Sequence, residues 1–226
     1  MKKTNLFLAG DSTMADYPES QFPQMGWGQK LSLFLKKEAV VCNKAANGRS
    51  SKSFIHEGRL QGIINEICEG DFLLIQFGHN DSKPEEERRT DPFSSYKNFL
   101  AQYVKAAREK GALPLLFTSI QRRNFNKTSR LMETHGNYPE AMRQLASEMN
   151  VPLIDLTKRT EEYINVLGVD GSKSLFMHLA PSKFSNFPNG VQDDTHLNEE
   201  GAKIVARLAA RELSVLPHPI ADYINL

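Results

Sequence analysis

Five short apolar runs recur along this 226-residue chain without polar alternation, at residues 6–9, 39–42, 72–77, 113–120 and 151–156. A strand with one face in water alternates apolar and polar side chains, so unbroken runs of this length point to strands covered on both faces. Between the runs the period changes to that of a helix. Residues 27–37 place Leu31, Phe34 and Leu35 on one side, and residues 96–110 align Phe99, Leu100, Tyr103, Val104 and Ala107 before a C-terminal Gly111. Residues 138–149 and 198–213 repeat the theme, the latter with Asn198 as N-cap and Glu199 and Glu200 in the first turn. Residues 158–168 read as a further, mostly exposed helix. Strand and helix in alternation predict an α/β fold, a three-layer α/β/α sandwich around a five-stranded parallel sheet with right-handed crossovers. The whole of 1–226 is expected to form one domain, with 170–192, rich in Ser, Pro, Asn and Gly, as a long surface loop.

Composition narrows the partners. The net charge is +1 and no block of basic residues could track a phosphate backbone, so nucleic acid is not expected. No run is long enough to span a membrane. Met1-Lys2-Lys3 followed by Leu6-Phe7-Leu8-Ala9 is too short for a secretory signal and runs straight into Gly10-Asp11-Ser12, which favours a cytoplasmic enzyme. Cys42 and Cys68 lack a CxxC or His-rich neighbour and are expected as free, buried thiols.

In a parallel sheet, chemistry gathers beyond the carboxyl ends of the strands, near the switch in strand order. Gly10-Asp11-Ser12-Thr13 follows the first run, Asn47-Gly48-Arg49-Ser50 the second, and Gly78-His79-Asn80-Asp81 the third. With strand order 2-1-3-4-5, these loops share one rim. Asp193-Asp194-Thr195-His196 precedes the last helix. Ser12, His196 and a local carboxylate form the set that ester cleavage needs: a nucleophile, a base to take its proton, and an acid to orient that base. Backbone N–H groups of Ser12 and Gly48 and the Asn80 side-chain amide are suited to an oxyanion.

These four blocks, in order and spacing, resemble those of the SGNH/GDSL hydrolase superfamily. Ala9-Gly10-Asp11-Ser12-Thr13, Gly26-Trp27-Gly28, Asn47-Gly48-Arg49-Ser50-Ser51 and Ser119-Ile120-Gln121-Arg122-Arg123 resemble its rhamnogalacturonan acetylesterase branch. The resemblance covers nearly the whole chain. It implies a flavodoxin-like fold and removal of acetyl groups from pectin-derived oligosaccharides without a cofactor or metal. It also implies Ser12 as nucleophile, His196 as base, Asp193 rather than Asp194 as its orienter, and Ser12, Gly48 and Asn80 as oxyanion donors. Asp194 is then expected to face solvent or cap. Asn47 departs from the family pattern, which has a small Gly or Ala there.

Further residues are expected near substrate. Trp27 either lines the pocket or is a core aromatic. Arg49, Arg122, Arg123 and Lys127 are charges that could meet uronic carboxylates, Arg49 foremost because it adjoins Gly48. His79, beside Asn80, is expected to shape the pocket, and His178 and Phe184 to reach it from the long loop. The oligomeric state is not legible. A general esterase, lipase or thioesterase would use the same machinery. A metal-dependent phosphoesterase would draw on Asp11, His79, Asn80, Asp81, Asp193 and His196, but it wants an Asp-x-His pair near the first strand, which Asp11-Ser12-Thr13 lacks.

Overall fold

β1 (Thr4–Gly10) lies inside a parallel sheet whose order is β2-β1-β3-β4-β5, with β2 at Ala39–Asn43, β3 at Phe72–Gln76, β4 at Leu113–Phe117 and β5 at Leu153–Ile154. The coordinates are those of a computed structural model and describe residues 3–226. Met1 and Lys2 of the N-terminal motif therefore lie outside the described residues, while its apolar part is the centre of β1.

Successive strand residues point to opposite faces, and this splits the core in two. Leu6, Leu8, Phe72, Leu74, Leu115 and Phe117 pack on one face beneath α5 (Leu156–Gly171) and α6 (Glu199–Ser214). Phe7, Ala9, Leu73, Ile75 and Leu116 pack on the other beneath α1 (Ser51–His56), α2 (Arg59–Glu66), α3 (Lys97–Glu109) and α4 (Tyr138–Met149). The sandwich, the strand order and the unalternating runs agree. β2 is the exception: all five of its residues are half-buried, as befits an edge strand. Asn198 caps α6 as expected, its side chain accepting from Gly201 N at 3.0 Å.

Three expectations need correction. Residues 27–37 form not a regular α-helix but a 3-10 helix at Trp27–Phe34. Its start is pinned to the first loop, Trp27 N donating to Thr13 O at 2.8 Å and Gly26 N to Ala15 O at 3.1 Å. A Cβ at Gly26 would sit 2.2 Å from that Ala15 oxygen, so only glycine allows the approach. Residues 170–192 are not one long loop. They hold the end of α5, a 3-10 turn at Ser172–Leu175, and β6 (Phe176–Leu179), which pairs antiparallel with β7 (Val191–Leu197) in a separate ribbon. Cys42 and Cys68 are free but not buried: Cys42 is half-buried and Cys68 exposed. Among the described residues no helix is long and apolar enough to cross a membrane.

Candidate active site

The loop after β1 is shaped by Asp11. Its Oδ1 accepts from Thr13 N at 2.9 Å and Thr13 Oγ1 at 2.8 Å, and its carbonyl accepts from Met14 N. This turn lifts Ser12 to the rim of the sheet. Beneath it the buried Gln76, last residue of β3, accepts from Trp27 Nε1 at 2.9 Å and Thr13 Oγ1 at 3.2 Å and donates to Thr118 O at 3.1 Å. One amide thus ties together the loops after β1 and β4 and the 3-10 helix. Nothing in its local sequence distinguishes it.

β7 carries the other half. His196 Nε2 lies 3.1 Å from Ser12 Oγ, and His196 Nδ1 lies 2.7 Å from Asp193 Oδ2. The second carboxylate oxygen of Asp193 accepts from Thr195 N at 2.7 Å and His196 N at 2.9 Å. Burial pushes the Asp193 carboxyl upward, but the His196 ring and these backbone donors outweigh it and hold it at about 2. Asp193 stays ionised, so the imidazole nitrogen facing it carries the proton and the nitrogen facing Ser12 is left to accept one.

Gly48 and Asn80 border the same cleft as Ser12 and His196. Gly48 has φ +76, a left-handed turn after β2 that glycine adopts freely. Asn80 gives one amide hydrogen to Arg49 O at 3.0 Å, which fixes the side chain and leaves its second hydrogen for the cleft. Asp81 locks that loop to the loop after β2: its carboxylate accepts from Ser51 N and Ser51 Oγ at the start of α1 and from Thr90 Oγ1. Asp81 and Asp11 are wholly buried, and desolvation raises them to about 7 and about 6 despite these donors.

Ser12, Gly48, Asn80, Asp193 and His196 all border one open cleft of about 580 Å³. Arg122 lines it too, its guanidinium donating to His79 O at 3.1 Å and Thr134 O at 3.1 Å. His79 forms part of the wall, its ring nearly enclosed with Nδ1 3.3 Å from Nε2 of His135. Burial keeps both rings neutral, His79 well below the usual histidine range and His135 at about 3. Tyr17, Gln21, Gln24, Lys83 and Arg88 also face the cleft. These five stand outside the motifs; the polar character of their loops was the one cue to them.

Other expected contacts are not made. Trp27 is fully buried against Phe117, ring centroids 5.6 Å apart, and so is a core aromatic rather than a pocket wall. Arg49 turns away to Glu57, its Nε 2.9 Å from a carboxylate oxygen, and offers the site only its backbone carbonyl. Lys127, His178 and Phe184 do not line the cleft. Arg123 is buried away from the cleft, and Asp194 faces solvent as expected but is also paired. Asp194 Oδ1 meets Arg123 Nη1 at 2.7 Å and His178 Nε2 at 2.7 Å. Among the described residues no three His, Cys, Asp or Glu side chains are grouped to hold a metal ion.

A hydroxyl, an imidazole and a carboxylate in relay, beside two backbone N–H groups and an amide, are equipped for acyl transfer. Known proteins agree. The model of the GDSL-like lipase/acylhydrolase family matches residues 8–204. The chain is 44% identical over 223 residues to rhamnogalacturonan acetylesterase RhgT of Bacillus subtilis, covering 99% of this chain and 95% of that one. It is 30% identical to the rhamnogalacturonan acetylesterase of Emericella nidulans, covering 89% and 81%. The crystal structure of the Bacillus subtilis protein YXIM superposes with a TM-score of 0.80 at 28% identity, covering 94% of this chain and 56% of that one. The chain belongs to the GDSL-like lipase/acylhydrolase family.

Proposed function

We propose that this chain removes acetyl groups from acetylated rhamnogalacturonan-type oligosaccharides derived from pectin. The observation that carries the reading is the continuous relay from Ser12 Oγ through His196 to Asp193, 3.1 Å and then 2.7 Å, opening into a polar cleft. The similarity to RhgT over nearly the full chain supports the substrate.

In this reading Ser12 Oγ attacks the acetyl carbonyl carbon while His196 Nε2 takes its proton. The oxyanion is met by Ser12 N–H, Gly48 N–H and the free hydrogen of Asn80. Collapse breaks the bond to the sugar oxygen, which leaves with the proton from His196. A water then attacks the acetyl-Ser12 carbonyl, giving its proton to His196. Acetate departs and Ser12 recovers its hydrogen. Every proton is carried by His196, and the reaction needs no cofactor.

Amides, a phenol and cations line the cleft beyond the relay, which suits a sugar better than a long acyl chain. The test is release of acetate from acetylated rhamnogalacturonan fragments, acetylated xylooligosaccharides and 4-nitrophenyl esters of increasing chain length. The expected order places the rhamnogalacturonan fragments first in kcat/KM, with Ser12→Ala at least about 10³-fold slower on all of them. A preference for octanoyl over acetyl esters would overturn the reading.

A further inference from the structure

The cleft is electrically lopsided. Of the side chains that border it, three are cations and one is an anion, and that anion, Asp193, is committed to His196. All three cations come from the loops after β3 and β4: Lys83, Arg88 and Arg122. The loop after β1 contributes only neutral groups, Tyr17, Gln21 and Gln24. Because β1 and β3 are neighbours in the sheet, the neutral and cationic loops stand side by side at the rim and border the same cleft.

The three cations are not equally free. Arg122 is held by two backbone carbonyls, so its guanidinium is a fixed charge. Arg88 Nη2 rests on Glu85 at 2.7 Å, an exposed partner that another carboxylate can replace. Lys83 is exposed at the mouth of the cleft, and no ion pair of its side chain is found among the described residues. Burial, His135 and then the nearby Arg122 and Lys83 all favour the neutral form of the His79 ring in the cleft wall. Two acids lie near Arg122: Asp11, wholly buried and committed to Thr13, and Glu133, which already accepts from the backbone of His135 and Gly136.

We infer that Lys83 and Arg88, backed by the fixed charge of Arg122, form a carboxylate-reading wall that takes the free uronate group of the sugar chain while the neutral wall takes hydroxyls. This rests on the acetylesterase reading above and deepens it. Guanidinium groups pair with planar carboxylates through two parallel hydrogen bonds, whereas an ammonium acts as a point charge. Free-acid galacturonate carries such a carboxylate, and its methyl ester does not. The enzyme is therefore expected to distinguish the two forms of one backbone, a discrimination that an acetyl group alone cannot provide.

The experiment uses one acetylated rhamnogalacturonan oligosaccharide in two forms, free acid and methyl-esterified, with 4-nitrophenyl acetate alongside. The protein is compared with Lys83→Gln, Arg88→Gln, the double variant and Lys83→Arg. The expected result is about a tenfold preference of the wild-type enzyme for the free acid in kcat/KM, expressed in KM rather than kcat. That preference should shrink as salt is raised from 0.02 to 0.5 M. It should fall toward unity in the double variant and persist in Lys83→Arg. Equal turnover of the two forms by wild type overturns the carboxylate wall while leaving the acetylesterase reading intact. A preference that survives in the double variant also overturns it, by assigning the recognition to other residues. Turnover of 4-nitrophenyl acetate with neither oligosaccharide hydrolysed would instead sink the substrate reading on which the inference rests.

Discussion

Arg123 reaches from the loop after β4 to β7 and holds Asp194 at 2.7 Å, one residue from the carboxylate that orients His196. Its backbone N–H also donates to Asp194 O at 2.8 Å, and its other guanidinium nitrogen donates to Val169 O at 2.6 Å. The Arg123 side chain is 8% exposed and that of Asp194 50%. Asp194→Ala would leave a buried guanidinium without its carboxylate. Losing one partner of a fully buried pair costs about 3–5 kcal/mol; the exposure of Asp194 lowers the expectation to about 2 kcal/mol. Because β7 carries Asp193 and His196, kcat should also drop about tenfold with KM little changed. Urea unfolding and steady-state kinetics on Asp194→Ala check both, and unchanged values in the two would show the pair to be incidental.

Asn80 should act on the transition state alone. Its amide is aligned before any substrate arrives, one hydrogen being spent on Arg49 O. Asn80→Ala is expected to lower kcat about 10²-fold, a loss of about 3 kcal/mol of barrier stabilisation, with little effect on KM. A loss confined to KM would move Asn80 from the oxyanion to substrate binding.

Asp193 is held at about 2, far below any working pH, by the His196 ring and two backbone donors. Asp193→Asn keeps the shape but turns an amide toward the imidazole, favouring the wrong tautomer. The expectation is a fall in kcat of about 10³-fold or more with a thermal midpoint close to wild type. If Asp194→Asn proved the more damaging change, the carboxylate roles would be reversed.

The buried acids make stability depend on pH. Asp81 at about 7 and Asp11 at about 6 lie above their ordinary value of 3.8, so the folded chain keeps protons that the unfolded chain releases. Their contribution is complete below about pH 4 and is lost as pH rises through 6 to 7. Asp193 has the opposite sign, its contribution being present above about pH 4 and lost as pH falls toward 2. A thermal midpoint that declines from pH 5 to pH 8, and declines less in Asp81→Asn, is the expected pattern. A slope unaltered by Asp81→Asn would remove Asp81 as its source.

The sheet and its site loops were legible because burial on both faces leaves a simple mark, and the loops then follow the strand ends. Ser12, Gly48, Asn80, Asp193 and His196 sit where that logic and the family resemblance expected them. The β6–β7 ribbon was not legible: Val191–Leu197 is half-exposed and carries Gln192, Asp193, Asp194, Thr195 and His196 in succession, with no alternation to report a strand. Arg123 and Asp194 escaped for a related reason. Each looks like a surface charge in sequence, and only the fold brings two such charges 71 positions apart into contact. Lys83 and Arg88 lie in an acidic, exposed stretch whose neighbours Glu85, Glu86 and Glu87 hide their character.

The proposed catalytic relay spans two pieces of structure with different footing. Ser12 sits on the loop that follows β1 of the five-stranded sheet, whereas Asp193 and His196 ride on a two-stranded ribbon outside that sheet. That ribbon is tied to the body by Phe176 and Leu197, which are buried in the core, by Arg123 to Asp194, and by Met25 N to Leu197 O at 3.0 Å. Opening such a segment exposes far less surface than unfolding the domain, so it happens at lower free energy. The molecule can therefore be folded yet switched off, with amide exchange in β7 outpacing that in β3. Heat tolerance of activity would then be governed by the grip on the ribbon rather than by the strength of the core.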